Sequence, residues 1–539
     1  MINILKTLQK KLYTCFIDFR KAFDLVWHLG LFYKLRKIGV SDLFYNVIKN
    51  MYLQTSLCVK VNNGLTPFFP STVGVRQGDN LSPTLFRTFI NDLPNCFDTH
   101  DGVKLGTLNL NCLLYADDLV LFSSTADGLQ NSLNKLNLYC KEWGLEVNKK
   151  KSKCMIFNKA GRLSSETFFY NNELLENVRD YSYLGCEFQC SGLFNLARQS
   201  LYNKGLKTYF KFSKCFKDSK PSLQTFLHIF DHTVLPVMMY GSEIWGLFKK
   251  YEKLSDENKA DNFFNQLCKD LTMEKLHIKA CKQFLCLNKR STNIAVMGEV
   301  GRFPLMLNVI LSMFKFWRHI LNSGDVLLTN SYEESSKLHA ENKISWVGCI
   351  SALIKYLKID ENILKNVGKE PFKSLLLRKL KIKYQNIWKN EVFDDSRKKN
   401  FGNKLRTYRL FKNNFGIEKY LSIGNLKQQS SLCKFRISNH TLEIERGRYK
   451  NIKVKDRICK LCNSDVEDEI HFLLGCSHSE RIRAPFIIEL NNKYPNTVLL
   501  DNSSKFIWLM SAEDDSLILK VMNLIIELKL NKDAILKVL

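Results

Sequence analysis

Apolar positions fall into two patterns along this chain. A short β-rich run occupies residues 13–19, with Asp18 near its end, and continuous apolar runs at 113–115 and 119–122 flank Ala116-Asp117. Runs of this length bounded by polar residues predict strands, and the pair at 113–122 predicts strand, tight turn, strand. Because these runs do not alternate, both faces of each strand should be covered. The second pattern has helical spacing. Residues 25–38 carry it until Gly39, Ser41 is placed as N-cap of a helix through Tyr52, and residues 128–143 bring Leu129, Leu133, Leu136, Leu138 and Trp143 on or near one face before Gly144. Asn63-Gly64 predicts a hairpin, Ser82-Pro83 opens a helix to about Leu93, and residues 154–157 and 180–185 predict further strand and turn.

From Leu193 onward the spacing is mainly helical. Lys204, Lys207, Lys211, Lys214 and Lys217 recur every three to four residues among Tyr209, Phe210, Phe212 and Phe216. This fits a helix with lysines along phosphates, and it fits an ordinary amphipathic surface helix equally well. Residues 322–342, rich in Ser, Asn and Glu, predict a linker. Residues 373–412 are dense in Lys and Arg with Tyr384, Trp388 and Tyr408 interspersed, a composition suited to stacking single-stranded nucleic acid or to a basic helical linker. No repeat of fixed period is present.

Composition adds a partner. The 80 Lys and Arg against 53 Asp and Glu leave a net charge of +27 over 539 residues, which favours a polyanion, nucleic acid first and an anionic membrane surface second. No apolar run is long enough to span a membrane, and residues 1–6 lack the layout of a signal peptide. The seventeen cysteines are therefore expected as reduced thiols, and a nuclear or cytoplasmic protein is expected.

Two constellations carry chemistry. Asp117 and Asp118 sit side by side at the tip of the predicted hairpin, and Asp18 lies near the end of the β-rich run where burial disfavours it. Asp is a good turn residue, yet adjacent carboxylates repel unless a cation neutralises them, so three acids on neighbouring strands point to divalent metal. Gly74 and Gly78 bracket a polar loop with Arg76 and Gln77 where a ligand could approach the backbone. The second constellation is Cys459, Cys462, His471 and Cys476, a tetrahedral donor set for Zn²⁺, with His478 as an alternative fourth ligand. A redox disulfide would not require His471, and a buried histidine in a small apolar core is the plain alternative. Arg446, Arg448, Arg457, Arg481 and Arg483 around this set fit a nucleic-acid-binding finger.

Phe16-Ile17-Asp18-Phe19-Arg20-Lys21-Ala22-Phe23-Asp24, the loop from Gly74 to Pro83, and Tyr115-Ala116-Asp117-Asp118 resemble the first three palm motifs of reverse transcriptases, most closely those of LINE-type (non-LTR) retrotransposons. Residues 143–157 resemble the fourth motif and Tyr183-Leu184-Gly185 the fifth. The Cys-Cys-His-Cys set resembles the C-terminal zinc knuckle of such elements.

The resemblance implies an α+β fold: a right-hand polymerase palm of antiparallel sheet with helices, then a helical thumb, a helical linker and a small C-terminal zinc finger. The expected divisions are 1–192 palm with truncated fingers, 193–321 thumb, 322–440 basic helical linker, 441–486 finger and 487–539 helical tail. It implies an RNA-directed DNA polymerase extending a DNA primer on an RNA template with deoxynucleoside triphosphates. Asp18, Asp117 and Asp118 would bind two Mg²⁺ ions, and Lys151 would protonate the leaving pyrophosphate, with Lys150 and Lys153 close by. Phe23, Arg76, Gln77, Gly78 and Tyr115 would line the nucleotide, and Tyr183, Leu184 and Gly185 would form a primer grip. Seventeen residues before Asp18 leave no room for the family's fingers or its endonuclease, so a nucleic-acid-binding remnant without catalysis is the competing expectation. A two-metal nuclease accounts for neither Phe23 nor the Gln77-Gly78 loop.

Overall fold

The computed structural model describes residues 10–61, 64–216, 221–246, 248, 250–395 and 403–538. It comprises two compact units, the first from residues 1–200 and 317–350 and the second from 201–316 and 351–539.

The first unit is built around β1 (Leu12–Asp18), whose first six residues are all buried. Helices α1 (His28–Lys37), α2 (Asp42–Leu53) and α3 (Ser82–Ile90) follow, then the hairpin β2 (Cys112–Tyr115) and β3 (Asp118–Ser123), α4 (Ala126–Trp143) and β4 (Lys153–Phe157). After these come β5 (Phe168–Tyr170), β6 (Glu173–Asn177) and a second hairpin, β7 (Asp180–Tyr183) with β8 (Cys186–Gln189). Strands β1 to β6 form one sheet in the order β5-β6-β4-β1-β3-β2, so β1 is central and antiparallel to both β3 and β4.

Alternation along β1 explains the β-rich run. Tyr13, Cys15, Ile17 and Phe19 belong to the core shared with the helices, whereas Leu12 and Phe16 pack on the other face with Val120, Phe122, Tyr181 and Tyr183. Both faces of β1 and of β3 are covered, but β2 departs from the expectation: it lies at the sheet edge and leaves Leu113 36% and Tyr115 68% exposed. Lys34 pins the helical layer: its ammonium is buried and donates to Phe89 O, Asp92 Oδ1 and Tyr139 Oη at 2.6–2.8 Å. Burial lowers the Lys34 pKa. Burial works the other way on Asp92, but hydrogen bonds from Lys34 and Tyr139 hold that carboxyl below its usual range.

Helix α4 runs where its spacing predicts, capped by the Thr125 side chain on Gly128 N and closed by Gly144 at φ 69°. Leu129, Leu133 and Leu136 face inward, but Leu138 is 66% exposed because it lies on the opposite side of the helix. Ser82 opens α3 without capping it. Its hydroxyl is buried with no partner among the described residues, and Asp79 Oδ1 instead takes the Leu81 N–H. The tip of the hairpin predicted at Asn63-Gly64 falls partly on residues 62–63, outside the described residues; Val61 and Gly64 are paired on either side of it. Between Trp27 and Val73 the surface is unusually apolar, with Leu43 73%, Phe44 66% and Phe68 70% exposed.

In the second unit, α5 (Asn195–Cys215, whose first turns still belong to the first unit) turns Lys204, Lys207, Lys211 and Lys214 outward and buries Tyr209 and Phe212. Lys217 lies outside the described residues. The stretch expected as a linker at 322–342 contains α6 (Val326–Ala340), capped by Asp325 and docked within the first unit, where Asn330 Oδ1 accepts from Thr107 N and Oγ1. Its serines bond carbonyls one turn back, so the polar composition is compatible with helix.

Of the two readings of the basic residues 373–412, the helical one agrees with the structure over residues 373–393 and the stacking surface does not. Helix α7 (Lys369–Phe393) places Leu376, Leu380, Tyr384, Trp388 and Val392 at three- to four-residue spacing, and all are buried. Tyr384, Trp388 and Tyr408 are core residues, 4%, 1% and 0% exposed, rather than stacking platforms. That core continues through α8 (Leu426–Arg436), α9 (Glu480–Lys493) and α10 (Asp515–Val538). The residues expected as a tail thus supply the long helix of the core, with Val521, Met522, Ile525 and Leu528 buried.

Candidate active site and metal centre

Strand register sets two of the three acids side by side. Asp18 is the direct cross-strand partner of Asp118, so both side chains leave the same face of the sheet. Tyr115 pairs with Asp118, leaving Ala116 and Asp117 as a two-residue turn in which Ala116 has φ 56°. Asp117 therefore stands one residue before Asp118 at the tip. Burial raises the Asp118 pKa, and the charges of Asp117 and Asp18 raise it further. The three are adjacent but not gathered: among the described residues, the sets with donor atoms all within 4.8 Å are Cys459, Cys462, His471, Cys476 and Asp98, His100, Asp101. Hard oxygen donors that repel one another in this way suit a divalent cation.

The loop after α4 is tied to the first acid. Asn148 N donates to Asp18 O at 2.7 Å, Asp18 N donates to Ser152 Oγ at 3.1 Å, and Lys151 Nζ stands 3.8 Å from Asp18 Oδ2. Lys149 and Lys153 pair with Glu173 and Glu176, so among the paired lysines of the basic run it is Lys151 that faces the acids. Across the same face, Tyr183 Oη donates to Asp118 O at 3.4 Å, and burial followed by the charge of Asp118 pushes its pKa up to about 12. Leu184 and Gly185 close that hairpin with φ of 48° and 77°.

The predicted nucleotide-lining residues group around the turn after β1. Phe23 stacks on Phe86 with ring centroids 4.8 Å apart. Gly74 approaches Asp24 so closely that a Cβ would lie 3.1 Å from Asp24 O, and Val75 N donates to Phe23 O. Gln77 Nε2 donates to Asp24 Oδ1 at 2.9 Å, and Gly78 has φ 87°. Arg76 is engaged elsewhere, donating to Met51 O and Thr55 Oγ1 at the end of α2. Tyr115 is 68% exposed beside the acids. Asp24, Asn148 and Ser152 are the supporting residues that sequence reasoning did not single out. Asp24 lay in a quoted motif, but the partners of Asn148 and Ser152 lie more than a hundred residues away.

The second unit holds the other constellation. Cys459 Sγ lies 3.9 Å from Cys476 Sγ, and Cys462 Sγ lies 3.4 Å from His471 Nε2. The first pair is presented by a tight turn in which Asn463 N donates to Cys459 O and Asn463 has φ 54°. Asp465 Oδ2 lies 3.9 Å from the other ring nitrogen of His471, beyond hydrogen-bond reach. Burial opposes ionisation of Cys462, but hydrogen bonds from Ser464 and nearby backbone bring its thiol down to about 6, whereas burial pushes Cys459 up to about 12. His478 is outside the set, which takes Cys476 instead. The neighbouring arginines are largely structural: Arg457 and Arg483 are buried on carbonyls, and Arg448 pairs with Glu445.

The site is thus set in a mixed sheet whose antiparallel strands β1 and β3 oppose Asp18 and Asp118, with Asp117 at the adjoining turn. Residues 2–188 match the family described as reverse transcriptase (RNA-dependent DNA polymerase), and the motif set is similar to that of non-LTR retrotransposon enzymes. Over 326 residues the chain is 27% identical to the probable RNA-directed DNA polymerase from transposon BS of Drosophila melanogaster, covering 56% of this chain and 33% of that protein. It is 29% identical over 252 residues to the RNA-directed DNA polymerase from mobile element jockey of Drosophila funebris, covering 45% and 27%. The chain thus spans about a third or less of the curated relatives it matches. Apo telomerase from Candida tropicalis aligns with 69% of this chain and 54% of its own at 13% identity and a TM-score of 0.30. No helix among the described residues is long and apolar enough to cross a membrane.

Proposed function

We propose that this chain is the palm-to-C-terminus portion of an RNA-directed DNA polymerase of a non-LTR retrotransposon, adding deoxynucleotides to a DNA primer on an RNA template. The observation that carries the reading is the cross-strand pairing of Asp18 with Asp118 next to Asp117. These three carboxylates would hold two Mg²⁺ ions. Bound there, the ions would lower the barrier to phosphoryl transfer by stabilising the attacking and leaving oxygens.

The chain's own residues supply the rest. Lys151, held beside Asp18, is placed to give a proton to the departing pyrophosphate. Phe23, fixed on Phe86, forms the wall that excludes a ribose 2′-hydroxyl. Gln77 and Gly78, anchored through Asp24, line the nascent pair with Tyr115, and the hairpin turn at Tyr183, Leu184 and Gly185 holds the primer end. Arg76 supports this loop from α2. Cys459, Cys462, His471 and Cys476 form a structural Zn²⁺ site, and the helices after residue 201 take the place of thumb and linker.

One observation favours nucleic-acid binding without catalysis: the palm acids are less closely gathered than the Cys₃His set. Primer extension on RNA with Mg²⁺ separates the readings. The parent should extend, and an Asp117→Asn, Asp118→Asn variant should lose at least about a thousandfold while still binding RNA. No extension by the parent at high enzyme concentration refutes the polymerase reading.

A further inference from the structure

One group of cations in the second unit is crowded. Lys282 is 8% exposed, and its ammonium donates to Lys289 O at 3.0 Å and Ser291 O at 2.8 Å. Those carbonyls flank Arg290 in the chain, and Lys404 Nζ donates to Arg290 O at 3.4 Å. The Arg290 guanidinium in turn lies over the ring of Tyr449, 5.6 Å from its centroid. Stretches of chain far apart in sequence thus bring Lys282, Arg290 and Lys404 together, and Lys289 and Lys450, next to Arg290 and Tyr449 in sequence, are exposed.

Little offsets this charge. Among the described residues none of these five cations has a carboxylate partner. Glu445, whose charge acts on Lys404, is 2% exposed and already pairs with Arg406 at 3.0 Å and Arg448 at 3.1 Å. Burial lowers the Lys282 pKa, and the charge of Lys404 lowers it further. A polyanion relieves such crowding, and Tyr449 narrows its kind. This residue ends the short helix Glu443–Tyr449, and its side chain is 56% exposed although Arg290 lies over the ring. A ring held at the surface by a cation offers its open face to a flat partner, which every nucleobase is. The bases of a duplex are hidden in their own stack, and an acidic peptide would engage the cations without needing the ring.

We propose that Tyr449 stacks one base of a single-stranded nucleic acid, with neighbouring phosphates held by Arg290 and the exposed Lys289 and Lys450 in the field of Lys282 and Lys404. The proposal rests on the reading of this chain as a nucleic-acid enzyme and gives the second unit a strand-binding surface of its own.

The test uses the full chain and a fluorescein-labelled ten-nucleotide strand, made once as RNA and once as DNA; the strand that responds identifies the source. Tyr449→Ala should weaken binding about tenfold, the effect of losing one stacked base, whereas Tyr449→Phe should bind as the parent does. An abasic oligomer should bind the parent and Tyr449→Ala alike. Lys289→Gln, Arg290→Gln, Lys450→Gln in one chain should reduce the magnitude of the log affinity against log salt slope by about 2, the release expected for three phosphate contacts on a single strand. Parent-like binding of both strands by Tyr449→Ala, an equal loss on the abasic oligomer, or an unchanged salt slope in the triple variant overturns the proposal. So does a labelled polyglutamate peptide whose binding falls with Tyr449→Ala as far as that of the nucleic acid. Primer extension distinguishes the two readings: extension by the parent with unaltered binding by Tyr449→Ala refutes this surface alone, and Tyr449-dependent binding without extension refutes the polymerase reading alone.

Discussion

Glu469 offers the most quantitative handle on the second unit. Its side chain is fully buried and accepts from Ser438 Oγ at 2.7 Å, His440 at 2.8 Å and Arg406. Burial opposes its charge, yet Arg406, His440 and Ser438 more than offset it, and its pKa falls from 4.5 to about 2. That difference corresponds to about 3 kcal/mol of preference for the ionised form in the folded state. Because the folded value is depressed, this stability is fully present above about pH 4.5 and is lost as pH falls towards about 2. Glu469→Gln keeps the shape but removes the charge and leaves Arg406 with Glu445 as its remaining carboxylate. At pH 7 the variant should unfold with about 3 kcal/mol less stability, and it should lack the parent's additional loss between pH 4.5 and 2. Urea unfolding followed by fluorescence of the buried Trp388 measures both. A loss below about 1 kcal/mol at pH 7, or parallel pH profiles, refutes the reasoning.

Three further outcomes follow from the geometry. Phe23→Ala should raise ribonucleotide incorporation relative to deoxynucleotide by about tenfold or more, measured by competing triphosphates in primer extension; an unchanged ratio removes Phe23 from sugar selection. Protein prepared without chelator should carry close to one equivalent of zinc, and Cys459→Ser should drop this below about half while exposing the second unit to limited proteolysis. Trp388→Ala, at a fully packed site against Gly298, should cost about 3–5 kcal/mol in unfolding of the second unit.

Local signals in the sequence carried much of the first unit. The hairpin around Asp117 and Asp118, α4 with its Gly144 stop, and the close-spaced cysteines depend on residues within a turn or two of one another. What stayed hidden depends on distant partners. Tyr384, Trp388 and Tyr408 have the composition of a stacking surface, and only the packing of α7 against the rest of the second unit shows them as core. Arg457 and Arg483 look like phosphate ligands until the carbonyls of Ile444 and Cys476 claim them. The Ser-rich linker proved helical because serine hydroxyls can satisfy themselves on the preceding turn. Lys151 was one of several adjacent lysines in sequence, and the ion pairs of Lys149 with Glu173, Lys153 with Glu176 and Lys151 with Asp18 sort them.

The apolar surface between Trp27 and Val73 governs how the molecule behaves in a tube as well as in a cell. Leu43, Phe44, Val47 and Leu53 project from a helix that buries only Tyr45 and Tyr52. Water leaves such surfaces readily when two of them meet, so crowding itself becomes a ligand for this protein. Its colloidal state will depend on concentration, detergent and holdase chaperones before it depends on global unfolding. A polar replacement such as Phe44→Lys is the means of separating the two.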